Sequence, residues 1–131
     1  DKLGLIPAIE WRTRQFQERS GIACQTHLPV EEIPMDRDRA IAVFRILQEA
    51  LSNVAQHAHA SKVVLDLTSD TNNLTLTVRD NGKGIPESKV FDRGSIGLLG
   101  MRERAMAFGG TMEVTALPER GTCVTVRIPT A

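Results

Sequence analysis

The stretch DRDRAIAVFRILQEALSNVAQHA, residues 36–58, decides the fold of this chain. Its apolar residues recur every three or four positions, which is the spacing of one helix face lying on a core. The charged run of residues 36–39 is typical of a capped helix start with solvated side chains. The apolar face comprises Ala40, Phe44, Leu47, Leu51, Val54 and Ala58. We therefore predict one long helix over residues 36–58.

A polar edge runs beside the apolar face of this helix. Glu49, Asn53 and His57 are spaced four residues apart, so their side chains lie within about 80° of one another around the axis. Asparagine is a poor helix former without charge, but its side-chain oxygen is a hard neutral ligand. Mg²⁺ takes one or two protein oxygens and completes its octahedron with phosphate oxygens and water. The edge is therefore either a magnesium site that a triphosphate completes or an ordinary solvated flank.

Alternating apolar and polar residues predict strands on both sides of the helix. They fall at residues 22–28, 63–68, 74–79, 112–116 and 124–128, with further helices at 7–19 and 98–108. Each strand is apolar on one face only, so one side of the sheet packs on helices. The sequence predicts a two-layer α/β (α+β) sandwich, in which a mixed, mostly antiparallel sheet of about five strands carries about three helices on one face. Separated hairpins disfavour a Rossmann arrangement.

The segment DNGKGIP, residues 80–86, follows the third predicted strand. Asp80 continues the inward-facing series of Leu76 and Val78, so its carboxylate is expected to point toward the helices. A buried carboxylate without a cation needs a hydrogen-bond donor, and the exocyclic amino group of adenine is a suitable one. Guanine presents a carbonyl at that place, so the carboxylate also discriminates between purines. Gly82 and Gly84 leave room for a ring beside the backbone. Taken alone, the segment also fits a plain Asn-Gly turn.

A second glycine-bearing segment, GSIGLLGM at residues 94–101, leads into the last helix. Unpaired N–H groups and the positive end of the helix dipole make such a junction a phosphate cradle, and Gly97 and Gly100 let the backbone come close. No Gly-Lys-Ser/Thr follows, so this is not a Walker-type loop. A glycine-rich loop without function is the alternative.

The composition excludes some classes of function. Sixteen Lys and Arg balance sixteen Asp and Glu among 131 residues, so no net charge is available to hold a nucleic acid. No apolar run approaches the roughly 20 residues of a membrane span, nor is there a secretory-signal pattern, which favours a cytoplasmic location. Neither Cys24 nor Cys123 belongs to a CxxC motif or a Cys/His cluster, so a zinc site is not expected; free thiols are the simpler interpretation, and a disulfide stays open.

Three motifs together resemble the ATP-binding domain shared by sensor histidine kinases, Hsp90-type chaperones, type II topoisomerases and mismatch-repair ATPases. QEALSN and the later HA (residues 48–53 and 57–58) resemble the N box, DNGKG (80–84) the G1 box, and GLLGMRER (97–104) the G2 box. With the closing GTCVTVRIP (121–129), they are most similar to bacterial sensor kinases of the nitrate/nitrite-sensor branch. The resemblance covers nearly the whole chain and implies the Bergerat-type ATPase fold.

The resemblance implies a role for each site residue. Asn53 would bind Mg²⁺, and Glu49 would organise a metal-bound water or assist the chemistry, which makes these two the catalytic residues. Asp80 would read the adenine amino group of ATP, with Thr122 nearby. His57 would lie near the phosphates, under a lid of about residues 87–95. The remaining implied ATP-binding residues are Gly82, Gly84, Ile85, Gly97, Leu98, Gly100 and Met101.

The resemblance also implies that the domain donates the γ-phosphoryl group of ATP to a histidine on a separate dimerisation domain. No segment here matches that domain, so residues 1–20 are interpreted as a junction helix that follows it and residues 21–131 as the ATP-binding catalytic domain. The implied partners are the kinase's own dimerisation domain and, indirectly, a response regulator. The full-length protein would be a homodimer and the isolated domain a monomer.

One departure from the family pattern leaves other functions open. Gln56 stands where the family has Lys or Arg before the N-box histidine, so one positive charge near the phosphates is missing. Lys62, Lys83 or Arg93 could replace it. The alternatives are a nucleotide-gated interaction module without phosphotransfer and a self-contained ATPase related to chaperones or topoisomerases.

Overall fold

The computed structural model describes residues 4–83, 96–118 and 120–131, with the backbone alone at residues 57, 58 and 96. Three α-helices, one π-helical turn and five strands follow one another along these residues. The helices are α1 (Leu5–Ser20), α2 (Arg37–Asn53) and α3 (Ile96–Ala107), and the π-helical turn is Val54–Ala58. The strands are β1 (Ala23–His27), β2 (Lys62–Ser69), β3 (Asn73–Asp80), β4 (Thr111–Ala116) and β5 (Thr122–Pro129).

The five strands form one sheet in the order β1-β2-β3-β5-β4. β1 runs parallel to β2, because α2 carries the chain across between them, and every other pair is antiparallel. Asp70 fixes the β2–β3 turn, since its carboxylate accepts hydrogen bonds from the N–H groups of Asn72 and Asn73, both at 2.8 Å. The predicted fold class, a mixed and mostly antiparallel sheet with helices on one face, is confirmed.

α2 packs more deeply than its sequence pattern indicates. Its buried residues are Ala42, Val43, Ile46, Leu47, Ala50 and Leu51. The expected face was therefore partly wrong, since Ala40 and Phe44 are only half-buried. α2 contacts both α1 and α3, so the apolar stripe that it must bury is wider than one facing the sheet alone.

α2 begins at a side-chain cap and ends in a π-helical turn. At the start, Asp36 caps the helix as predicted, because its carboxylate accepts a hydrogen bond from Arg39 N–H at 2.8 Å. The Arg39 side chain also donates to Pro129 O at 3.0 Å and lies over the Phe108 ring. At the other end, the backbone changes to a π-helical turn after Asn53. The prediction of one α-helix over residues 36–58 is thus correct only as far as Asn53.

α1 shares the same core as the sheet. Leu5, Ile9 and Phe16 belong to the buried cluster, and the carboxylate of Glu32 accepts hydrogen bonds from the first N–H groups of the helix. Gly21 ends α1 in the left-handed conformation. No helix of the described residues is both long and apolar enough to cross a membrane.

The structure also shows whether Cys24 and Cys123 form a disulfide. β2 and β3 lie between β1, which carries Cys24, and β5, which carries Cys123. Three inter-strand spacings amount to about 14 Å, far more than a disulfide spans. Both thiols are free.

Gly121, directly before β5, brings two chain segments into contact. Its φ is +108°, and a Cβ there would overlap the backbone carbonyl of Asp80. Gly21 also has a positive φ, +74°, but has open space around it. Substitution of Gly21 therefore tests the cost of backbone strain alone, whereas substitution of Gly121 tests that strain together with a collision.

We expect Gly121→Ala to lower the free energy of unfolding by more than about 3 kcal/mol, because it adds a backbone collision to conformational strain. Gly21→Ala, the matched control, should cost only about 1 kcal/mol. Urea denaturation of both variants measures the difference. Equal losses would show that no collision occurs at residue 121.

Candidate functional site

Asp80 is the last residue of β3 and faces the helices, as the strand alternation predicts. It is 8% exposed, and Val63 of β2 lies opposite it in the sheet. On the other side, Thr122 of β5 is 5% exposed and lies one position beyond the Arg79–Cys123 pair. The sheet therefore places one carboxylate and one hydroxyl side by side at the ends of two adjacent strands, on the otherwise apolar face that packs against the helices.

The Asp80 carboxylate is held by backbone donors. The N–H of Gly82 donates to Oδ1 at 2.8 Å, which fixes the orientation of the side chain. Burial raises the pKa of Asp80 above its ordinary value, and hydrogen bonds from the N–H groups of Gly82 and Thr122 partly oppose that effect. Within the described residues no lysine or arginine forms an ion pair with it. Among the described residues the desolvated carboxylate therefore has no counter-charge.

Two residues that the sequence analysis did not single out anchor the turn after Asp80. Asn81 accepts hydrogen bonds from the N–H groups of Ser61 and Lys62, at 2.9 and 3.0 Å. Arg120 donates from Nε to the carbonyl of Gly82 at 2.9 Å. An Asn-Gly pair after a strand signals a turn. The partners lie about 20 and 38 residues away, so the sequence carries no signal for these contacts.

A second group of predicted residues meets where α2 packs against the start of α3. Asn53 is half-buried, and its amide lies 4.0 Å from the Met101 sulfur. Glu49, one turn earlier, is exposed, and the backbone of Gly97 lies against both its carboxylate and the Asn53 carbonyl oxygen. The structure thus brings Glu49, Asn53, Gly97 and Met101 together.

Some of the other predicted residues lie within the described part of the chain and some lie outside it. Leu98 is buried in the hydrophobic core, whereas the position of a Cβ on Gly100 is open space. Gln56 donates to the Ser52 hydroxyl at 3.2 Å, and both Lys62 and Lys83 are exposed. Gly84, Ile85, Arg93 and the lid at residues 87–95 lie outside the described residues, as does the side chain of His57.

The donor set at α2 fits a cation that brings most of its own ligands. Among the described residues no three His, Cys, Asp or Glu side chains converge on a metal position. An amide oxygen with a carboxylate one turn away suits Mg²⁺, which keeps water and phosphate oxygens in its coordination shell. It does not suit zinc, which needs a closed set of protein ligands.

Residues 38–131 match the family model described as "Histidine kinase-, DNA gyrase B-, and HSP90-like ATPase". Among curated proteins, the histidine-protein kinase/phosphatase DegS of Brevibacillus brevis is 36% identical over 98% of this chain and 33% of its own length. UhpB of Salmonella typhimurium, another histidine-protein kinase/phosphatase, is 34% identical over 98% of this chain and 25% of its own length. The chain thus spans a quarter to a third of these relatives.

Solved structures agree with the sequence comparisons. The histidine kinase domain of the blue-light-activated kinase from Erythrobacter litoralis EL346 superimposes with a TM-score of 0.75 at 25% identity, over 90% of this chain and 57% of that one. AdeS of Acinetobacter baumannii, at 16% identity and a TM-score of 0.77 over 96% of this chain and 63% of that one, shares the fold. This chain belongs to the histidine kinase-, DNA gyrase B- and HSP90-like ATPase family, as an ATPase domain of the sensor histidine kinase type.

Proposed function

We propose that this domain binds Mg·ATP and donates the γ-phosphoryl group to a histidine on the dimerisation domain of its own kinase. The buried Asp80 carboxylate carries the proposal. It faces the helices and lacks a cation among the described residues, so a ligand that donates a hydrogen bond would compensate for its desolvation. Adenine has such a donor in its amino group, and the Thr122 hydroxyl lies beside the same position.

The α2–α3 junction would hold the phosphates. Mg²⁺, when bound, would neutralise phosphate charge, and the amide oxygen of Asn53 would be its protein ligand. The Glu49 carboxylate would hold a water molecule beside the cation or accept a proton during transfer. The remaining implied contacts, at Gly82, Gly84, Ile85, His57, Leu98, Gly100 and Met101, belong to the same proposal.

Catalysis in this arrangement depends mainly on positioning. Phosphoryl transfer requires little covalent participation by the protein when charge is neutralised and the acceptor is in line. The acceptor imidazole would come from a dimerisation domain joined through α1 in a homodimer, and a response regulator would receive the phosphoryl group next. We place the domain in the cytoplasm and expect the isolated domain to be a monomer.

Nucleotide binding should depend on Asp80. Asp80→Asn should weaken Mg·ATP binding about 10- to 100-fold, because a hydrogen bond to an ionised group is lost in a buried place. It should also reduce the preference for ATP over GTP, since an amide can donate to the guanine carbonyl. Isothermal titration calorimetry with each nucleotide measures both effects.

Asp66→Asn is the matched control for that experiment. Asp66 lies on the opposite face of the sheet, where it pairs with His27 at 2.6 Å and Arg79 at 3.1 Å. Its substitution should leave ATP affinity unchanged. If the unaltered chain bound no ATP, or bound it as Asp80→Asn does, adenine recognition by Asp80 would be wrong.

Phosphotransfer should depend on Asn53. Mixed with the separately purified dimerisation domain and γ-labelled ATP, this chain should place label on the acceptor histidine. Asn53→Ala should reduce the rate at least roughly 100-fold, because the cation loses its protein ligand. Asn72→Ala, in the exposed β2–β3 turn, should not reduce it.

Each outcome of the phosphotransfer experiment assigns a function. Unlabelled histidine despite tight ATP binding would favour the nucleotide-gated module, for which the missing charge at Gln56 is the supporting observation. Steady ATP turnover by this chain alone would favour the self-contained ATPase.

The stability of the fold should depend on pH through Asp80. The pKa of Asp80 is raised in the folded state. The contribution of Asp80 to the free energy of unfolding is therefore most favourable below pH 3.8 and is lost as the pH rises through the raised pKa. The stability of Asp80→Asn relative to the unaltered chain should therefore increase with pH through that window and then level off. Urea denaturation of ATP-free protein at a series of pH values measures this, and a pH-independent difference would contradict it.

A further inference from the structure

The start of α3 lies close to α2 at Gly97. A Cβ on Gly97 would overlap Oε1 of Glu49 and lie 3.2 Å from both the Glu49 carboxyl carbon and the Asn53 side-chain oxygen. Gly100, one turn further along the same helix, would gain a Cβ in open space. Two glycines that look equivalent in the sequence therefore have different surroundings.

We propose that Gly97 is a positioning residue for Glu49. Because Gly97 has no side chain, its backbone contacts the Glu49 carboxylate and limits the positions that this carboxylate can take. The proposal rests on the proposed function for its effect on catalysis, but the contact itself exists without nucleotide. Glu49 is exposed, so its side chain has few other neighbours to restrict its rotamers. The partial positive charge at the first turn of α3 also favours a carboxylate at this place.

An added methyl group at residue 97 would act on Glu49 and not on the fold. The obstructing atom is the far end of a flexible side chain, which can rotate away at little cost in stability. The carboxylate would then move by about 1 Å to restore ordinary contact with the added carbon, whereas α2 and α3 stay packed through Leu98 and Met101. A displacement of about 1 Å near reacting groups can reduce a rate by as much as 100-fold.

A different role for Gly97 makes a different prediction. If Gly97 served only to let the helix start approach the phosphates, a methyl group there would obstruct ATP directly. ATP affinity would then fall by the same factor whether or not Glu49 is present. If Gly97 acts through Glu49, removing the carboxylate should remove the effect of the methyl group.

The experiment combines a structural and a kinetic measurement on Gly97→Ala, Glu49→Ala and the double variant. In nucleotide-free Gly97→Ala, the side-chain carboxyl ¹³C resonance of Glu49 should shift, whereas Gly100→Ala should leave that resonance in place. Phosphotransfer by Gly97→Ala should fall roughly 10- to 100-fold. ATP affinity should change less than about threefold, and Gly97→Ala should have no further effect in the Glu49→Ala background.

Several results would overturn the proposal. An unshifted Glu49 resonance in Gly97→Ala would do so, as would equal losses of ATP affinity with and without Glu49. If Gly97→Ala does not fold, the unaltered chain decides: a nuclear Overhauser effect between the Gly97 Hα and Glu49 Hγ protons supports the contact, and its absence refutes it. Because the resonance needs no ATP, a failure of the proposed function would be visible separately, as a lack of ATP binding.

Discussion

Leu67, Leu76 and Val126 lie side by side on three adjacent strands, and each is almost completely buried beneath the helices. Burying such a side chain contributes about 1.5–3 kcal/mol, and similar rows above and below make this face the main source of stability. The opposite face carries charged and hydroxyl side chains such as Asp66 and Arg79. Because only one face is apolar, all three helices must lie on the same side, and α2 lies between the other two.

The polar residues of the candidate site lie at the margins of that apolar layer. Asp80 ends the inward row of β3, and Asn53 ends α2 where the backbone changes to a π-helical turn. π-helical turns are rare and frequently occur at functional sites. Such a margin gives a polar group a low-dielectric surrounding with access from one side. At Asp80, burial raises the pKa of the carboxyl despite the hydrogen bonds from the N–H groups of Gly82 and Thr122.

The sequence predicted what depends on local periodicity. Strand alternation placed Asp80 inward, and the capping residue Asp36 marked the start of α2 correctly. Contacts between distant segments were not predictable: nothing near Asn81 indicates its bonds to Ser61 and Lys62, and Gly97 differs from Gly100 only through its neighbour on another helix. The helical spacing of apolar residues does not show how many neighbouring elements pack against α2. The predicted apolar face was therefore narrower than the face that the structure buries.

The position of β5 has a consequence for synthesis of the protein. β5 is last in sequence, yet it lies between β3 and β4 and supplies the only strand partner of β4 within the described residues. While the ribosome is still translating this segment, one edge of β3 stays open and β4 has no strand to join. Nascent chains with unpaired edges are prone to aggregation. Completion of the sheet must therefore wait until the final strand has left the exit tunnel.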